Sequence, residues 1–133
     1  MNYNKDIKLN QIFLKIREKG QLTGEISSLL IEKYGDKFFK ALDLVNSRKV
    51  RKVIFHPSGI ERWIVTGVHM DYLVIPRIYC QCDDFYLSVV IRKTIDACYH
   101  LIAQTLAEAL GNFEEIILDD VEYMDFMKKF HEI

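Results

Sequence analysis

Cys80-Gln81-Cys82 and Cys98-Tyr99-His100 form two pairs of metal-donor residues separated by fifteen positions. Three thiolates and one imidazole are a usual tetrahedral ligand set for structural zinc. The chain has three cysteines, and this pattern uses all of them. Taken singly, each is uninformative, because free Cys is often buried as a small hydrophobe. Three buried thiols beside an unrelated histidine is therefore the plainer alternative, and two matched pairs weigh against it. Iron–sulfur ligation normally needs four Cys. Asp83 and Asp84 lie close enough to compete, but carboxylate oxygens suit the harder cations better than thiolate and imidazole sites do. Four protein ligands close the coordination sphere, whereas catalytic zinc keeps a position open for water. One structural zinc and no enzymatic activity are the expectation, since no nucleophile–base–acid grouping stands out elsewhere.

The spacing constrains the elements that carry these residues. Two ligands one residue apart share a side at the end of a strand, where a local turn brings them together. Inside a regular helix they would lie about 200° apart by the ~3.6-residue repeat. Cys98 should therefore sit just before or at a helix's first turn, with His100 entering the helix. The helix N-terminus then favours the Cys98 thiolate.

The rest of the chain supplies such elements. Leu9, Ile12, Phe13 and Ile16 follow the rhythm of one apolar helical face, predicting a helix over Lys5–Lys19 that stops at Gly20. A second helical stretch spans Gly24–Ser47, with Gly35-Asp36 dividing it. Alternation predicts strands at Val50–His56, Ile60–Thr66, Tyr72–Ile78 and Phe85–Arg92, with Pro57-Ser58-Gly59 as a turn. Helical signals return at Asp96 and end at Gly111. A short extended piece, Glu115–Leu118, then leads to Asp119 or Asp120 as the cap of a last helix burying Tyr123, Phe126, Met127 and Phe130. Trp63 reads as core, and Tyr72, Tyr79, Phe85 and Tyr86 as packing around the metal and sheet. The expected architecture is α+β: N-terminal helices (1–48), a small antiparallel sheet with a zinc knuckle (49–111), and a C-terminal strand and helix (112–133).

The net charge of −1 hides an asymmetry. Met1–Arg62 carries +6, from 13 Lys or Arg against 7 Asp or Glu, and Trp63–Ile133 carries −7. Such a balance argues against tight nonspecific nucleic-acid binding by overall charge. Arg48, Lys49, Arg51 and Lys52 form the densest basic segment and could grip phosphates; a solvated strand edge explains them as well. The apolar face of the first helix, with Leu9, Ile12, Phe13 and Ile16, could dock a partner, or pack on the protein's own second helix. No apolar run reaches the ~18 residues of a membrane span, and residues 1–6 lack a secretory start. A cytoplasmic protein, nuclear in a eukaryote, is expected, with no membrane and no small-molecule substrate.

Cys-x-Cys followed by Cys-x-His resembles the SWIM-type zinc finger. The surroundings agree: β-rich sequence precedes Cys80, Phe85 follows Cys82 closely, and Cys98-Tyr99-His100-Leu101-Ile102-Ala103 is similar to the family's last ligand pair opening into an apolar helix. The resemblance covers about Val50–Leu110. It implies a ββα layout and a DNA-binding or protein-binding module. These residues hold no ATPase, kinase or transposase segment, so the expectation is a small stand-alone member. In the recombination branch of the family, small SWIM proteins of the Shu type pair with a paralogue of the RecA/RadA recombinases. That branch implies an accessory role in DNA recombination and repair, with a recombinase-like partner. A general protein-interaction adaptor without a nucleic-acid role is the alternative.

Overall fold

The computed structural model describes residues 7–131, so the expected helix start at Lys5 lies outside the described residues, as does the side chain of His131. Three helices come first: α1 (Leu9–Lys19), α2 (Gly24–Tyr34) and α3 (Asp36–Asn46). α1 ends where Gly20 takes a left-handed φ of 72°. α2 starts at Thr23, whose side chain accepts from the Ile26 amide at 3.2 Å. Gly35, with φ 58° and ψ −130°, breaks the run between α2 and α3, a conformation that a side chain would strain.

Strands β1 (Val50–His56), β2 (Glu61–Thr66), β3 (Asp71–Ile75) and β4 (Tyr79–Cys80) follow. α4 (Tyr99–Leu110), β5 (Glu114–Asp119) and α5 (Tyr123–His131) complete the chain. The sheet order is β4-β3-β2-β1-β5. Three of its pairings are antiparallel, but β5 lies parallel to β1, with Val53 opposite Ile116 and Phe55 opposite Leu118. The sheet is thus mixed where alternation alone suggested an antiparallel one. A parallel neighbour requires a long crossover, here the whole stretch through β2, β3, β4 and α4.

The alternation of each strand feeds two cores. Val50, Trp63, Val65, Val74 and Cys80 join a large cluster with Ile12, Ile16, Leu30, Phe38, Leu101, Ile102 and Leu106. Val53, Phe55 and Ile64 meet Phe126 and Phe130 of α5 in a smaller one. The larger cluster crosses the expected division at residue 48, because α4 packs against α1 and α3 as well as the sheet.

Two sequence expectations are corrected here. Phe85–Ile91 is a π-helix, not a strand. Its apolar alternation mimics period two, but local bonds wind it. The Phe85 amide donates to Cys82 Sγ at 3.3 Å, and the Ser88 hydroxyl donates to Asp84 at 2.9 Å. A strand would carry the chain straight away from Cys82, whereas a wound segment keeps it near and lets Cys98 return. The second correction concerns α1. Leu9, Ile12, Phe13 and Ile16 are all buried within this chain, so the expected partner face is core. The Arg77 guanidinium covers the Phe13 ring at 3.8 Å and donates to Glu108 of α4 at 3.1 Å.

Candidate metal centre

Cys80 ends β4 and Cys82 lies two residues on. Cys98 is the N-cap of α4, with its Sγ accepting from the Leu101 amide at 3.5 Å, and His100 sits in the first turn. One ligand atom from each of the four residues lies within 4.8 Å of the others. A tetrahedron with metal–ligand bonds of roughly 2.0–2.3 Å has edges of roughly 3.5–3.8 Å, so a modest contraction completes it. All four side chains are buried, at 0–4% exposure.

The chemistry of the donors fits a cation. Both ring nitrogens of His100 are buried with no hydrogen-bond partner among the described residues, a costly state for an imidazole unless a metal takes one of them. The thiols cannot all ionise together without a positive charge between them. Hydrogen bonding from Cys80 and Cys98 holds Cys82 far below the usual thiol range. Bonding to Cys82, then to Cys98, and burial push Cys80 far above it. For Cys98, bonding with Cys80 pulls downward, but Cys82 and burial outweigh it and leave the group at about 12. A divalent ion removes this competition and stabilises three thiolates at once. The backbone amides of Phe85 and Leu101 already point at two of the sulfurs, as outer partners of a thiolate site do. Cys80, Cys82, Cys98 and His100 therefore form a buried cluster able to hold one zinc ion.

Outer residues position the ligands. Tyr72 and Tyr99 flank the His100 ring, with centroids at 4.6 and 4.1 Å. The Tyr34 hydroxyl donates to Asp96 at 2.9 Å, and Lys33 pairs with the same carboxylate at 3.5 Å, pinning the loop two residues before Cys98. Gly67 touches the site from the end of β2. A Cβ there would fall 2.6 Å from Tyr72 Cε2 and 3.2 Å from His100 Nε2. Gly67→Ala should therefore displace both rings, lowering stability by about 1–3 kcal/mol and weakening zinc in a chelator competition. An unchanged denaturation midpoint would remove Gly67 from the site. Nothing in the sequence singles out Gly67, Tyr34 or Asp96, because their proximity to the ligands is purely tertiary.

The basic segment does not form one surface. Arg51 and Lys52 project from opposite faces of β1. Arg51 bonds Thr66 and Asp71, each at 3.0 Å, while Lys52 pairs with Glu61 at 3.0 Å and lies over Trp63 and Phe113. Arg48 and Lys49 remain exposed. Arg62 and Arg77 are also engaged, with the Tyr123 hydroxyl and with Glu108. Trp63 is core, as expected, in edge contact with Phe113. Tyr72 and Phe85 pack at the centre, but Tyr86 faces solvent. No helix among the described residues is long and apolar enough to cross a membrane.

Comparison with known proteins returns relatives that share this chemistry by name. The chain is 32% identical over 92 residues to the zinc finger SWIM domain-containing protein 7 homolog of Dictyostelium discoideum, covering 68% of this chain and 59% of that protein. Zinc finger SWIM domain-containing protein 7 of Mus musculus is 27% identical over 121 residues, covering 90% of this chain and 79% of its own length. The Homo sapiens protein of the same name is 25% identical over 121 residues, covering 90% and 86%. The chain thus spans less than two thirds of the Dictyostelium relative. No family model matches the chain, and no solved structure does. The chain is thus a homologue of proteins named zinc finger SWIM domain-containing protein 7, and its buried Cys-Cys-Cys-His cluster is consistent with a SWIM-type zinc finger.

Proposed function

We propose that this chain is a non-enzymatic, zinc-stabilised accessory factor in DNA recombination or repair. It works through a RecA/RadA-family paralogue, with DNA contact of its own, in a reducing compartment such as the cytoplasm or nucleus. The observation that carries this reading is the closed ligand set. Four protein donors meet in the interior and leave no position for a reacting water, so the zinc supports a binding surface. The recombinase-like partner rests on the resemblance to the recombination branch.

Because α1 faces inward, the partner must dock elsewhere. Tyr86 and Ile91 of the π-helix are 58 and 55% exposed and supply apolar surface of the kind interfaces use. Affinity purification from native extract should recover a RecA/RadA-family protein. Tyr86→Asp with Ile91→Asp should abolish that recovery while zinc and melting behaviour stay native. Recovery of other proteins but no recombinase relative would favour the adaptor reading, to which the same exposed surface also lends support.

A further inference from the structure

A cavity of about 510 Å³ opens beside the metal centre, where the end of α3, the start of β1, the end of β2 and the start of α4 meet. Its size falls within the ~300–1,000 Å³ of small-ligand sites. Tyr99 forms one wall, Leu44 and Val68 add apolar surface, and Gly67 leaves a stretch of bare backbone. Lys40 and Lys49 line it too, with the Lys40 ammonium 5.6 Å from the Tyr99 ring centroid. Neither lysine joins an ion pair among the described residues, in contrast to Arg51 and Lys52. Asp43 is the single carboxylate of the lining, so the site carries a net positive charge.

An aromatic wall beside two ammonium groups outside any ion pair, one of them resting over that ring, matches a ligand that is flat and apolar in one part and anionic in another. We infer that this cavity is a single-stranded nucleic-acid subsite, in which one unpaired base stacks on Tyr99 while its flanking phosphates meet Lys40 and Lys49. Stacking on an aromatic platform with cations along the backbone is how single strands are held without sequence readout. A base in a duplex has both faces covered by its neighbours, so the subsite selects single strands. Arg48 is exposed and adjoins Lys49 in the chain, adding positive charge to the same segment. Of the basic segment, then, Arg48 and Lys49 are assigned to nucleic acid, and Arg51 and Lys52 to the sheet. Tyr99 stands between two zinc ligands, its ring 4.1 Å from that of His100, so the metal fixes the stacking wall. This assignment rests on the DNA contact proposed above and gives it a place.

The test uses the whole zinc-loaded chain and a fluorescent oligothymidylate of about twenty nucleotides, longer than the ~4–16 that small single-strand modules cover. Anisotropy titrations should show binding that weakens with salt and exceeds binding to a duplex of equal length. Tyr99→Leu should weaken it about 5- to 150-fold, with Tyr99→Phe close to wild type. Lys40→Ser with Lys49→Ser changes two exposed side chains and should leave folding and zinc content intact. It should flatten the plot of log affinity against log salt by about 0.7 for each phosphate that is no longer neutralised. Wild-type binding that survives both the Tyr99→Leu and the double lysine change would overturn the subsite while leaving DNA contact elsewhere on the chain. No binding by the wild type, or equal preference for duplex, would also overturn it. The recombinase partner would stand or fall separately, on the affinity purification.

Discussion

Replacing His100 with Ala should abolish cooperative folding of the whole chain. Structural zinc contributes about 10–16 kcal/mol of apparent binding free energy near neutral pH, and a domain of this size has about 5–15 kcal/mol of net stability. The ligands do not form an appendage. Cys80, Cys82 and Cys98 belong to the same apolar cluster as Ile12, Leu30 and Phe38, so losing the metal opens the core on which α1, α2 and α3 rest. Thermal unfolding of His100→Ala or Cys98→Ala should show no sharp transition in either helical or tertiary signals. The wild type treated with a strong chelator should behave alike and recover when zinc is returned. The untreated protein should hold one zinc per chain, with three sulfurs at about 2.3 Å and one nitrogen at about 2.0 Å by X-ray absorption. A His100→Ala protein that retains both its zinc and its native melting curve would show that His100 is not a ligand.

The ligand set was legible in the sequence because it is a local property. Cys80 with Cys82, and Cys98 with His100, each fix a short stretch of backbone, and helix-start geometry dictates where Cys98 must lie. The helices were legible for the same reason, through the periodic faces of α1 and α4 and the breaks at Gly20, Gly35 and Gly111. Other features depend on what lies opposite. Phe85, Leu87, Val89 and Ile91 alternate as a strand does, yet the amide bonded to Cys82 Sγ and the Ser88–Asp84 bond wind the segment. Arg51 and Lys52 read as one patch until the strand sends them to opposite faces. Gly67 carries no signal, since its role is to leave room for Tyr72 and His100. The parallel pairing of β5 could not be inferred from its own residues, because Ile116 and Leu118 would alternate equally well beside an antiparallel neighbour.

Whether α1 is an interface or core is the point on which the sequence pattern divides, and Ile16→Asp decides it. Ile16 is fully buried in the cluster that contains Leu101, Ile102 and Leu106 of α4. Truncating such a side chain alone costs about 2–5 kcal/mol. A carboxylate in its place must ionise in the interior or take up a proton, and either adds several kcal/mol unless a partner group is near. Ile16→Asp should therefore remove most or all of the chain's stability, with loss of zinc following the loss of structure. Leu14, on the opposite side of the same helix, is 56% exposed. Leu14→Asp should alter stability by no more than about 0.5 kcal/mol. The comparison separates the two roles, because a helix reserved for a partner would tolerate both changes in isolation and fail only in complex formation. A native melting curve for Ile16→Asp, with zinc still bound, would return α1 to the surface. Collapse of Ile16→Asp beside an unperturbed Leu14→Asp would instead establish that the apolar stripe most suggestive of docking is what joins the N-terminal helices to the zinc-bearing half.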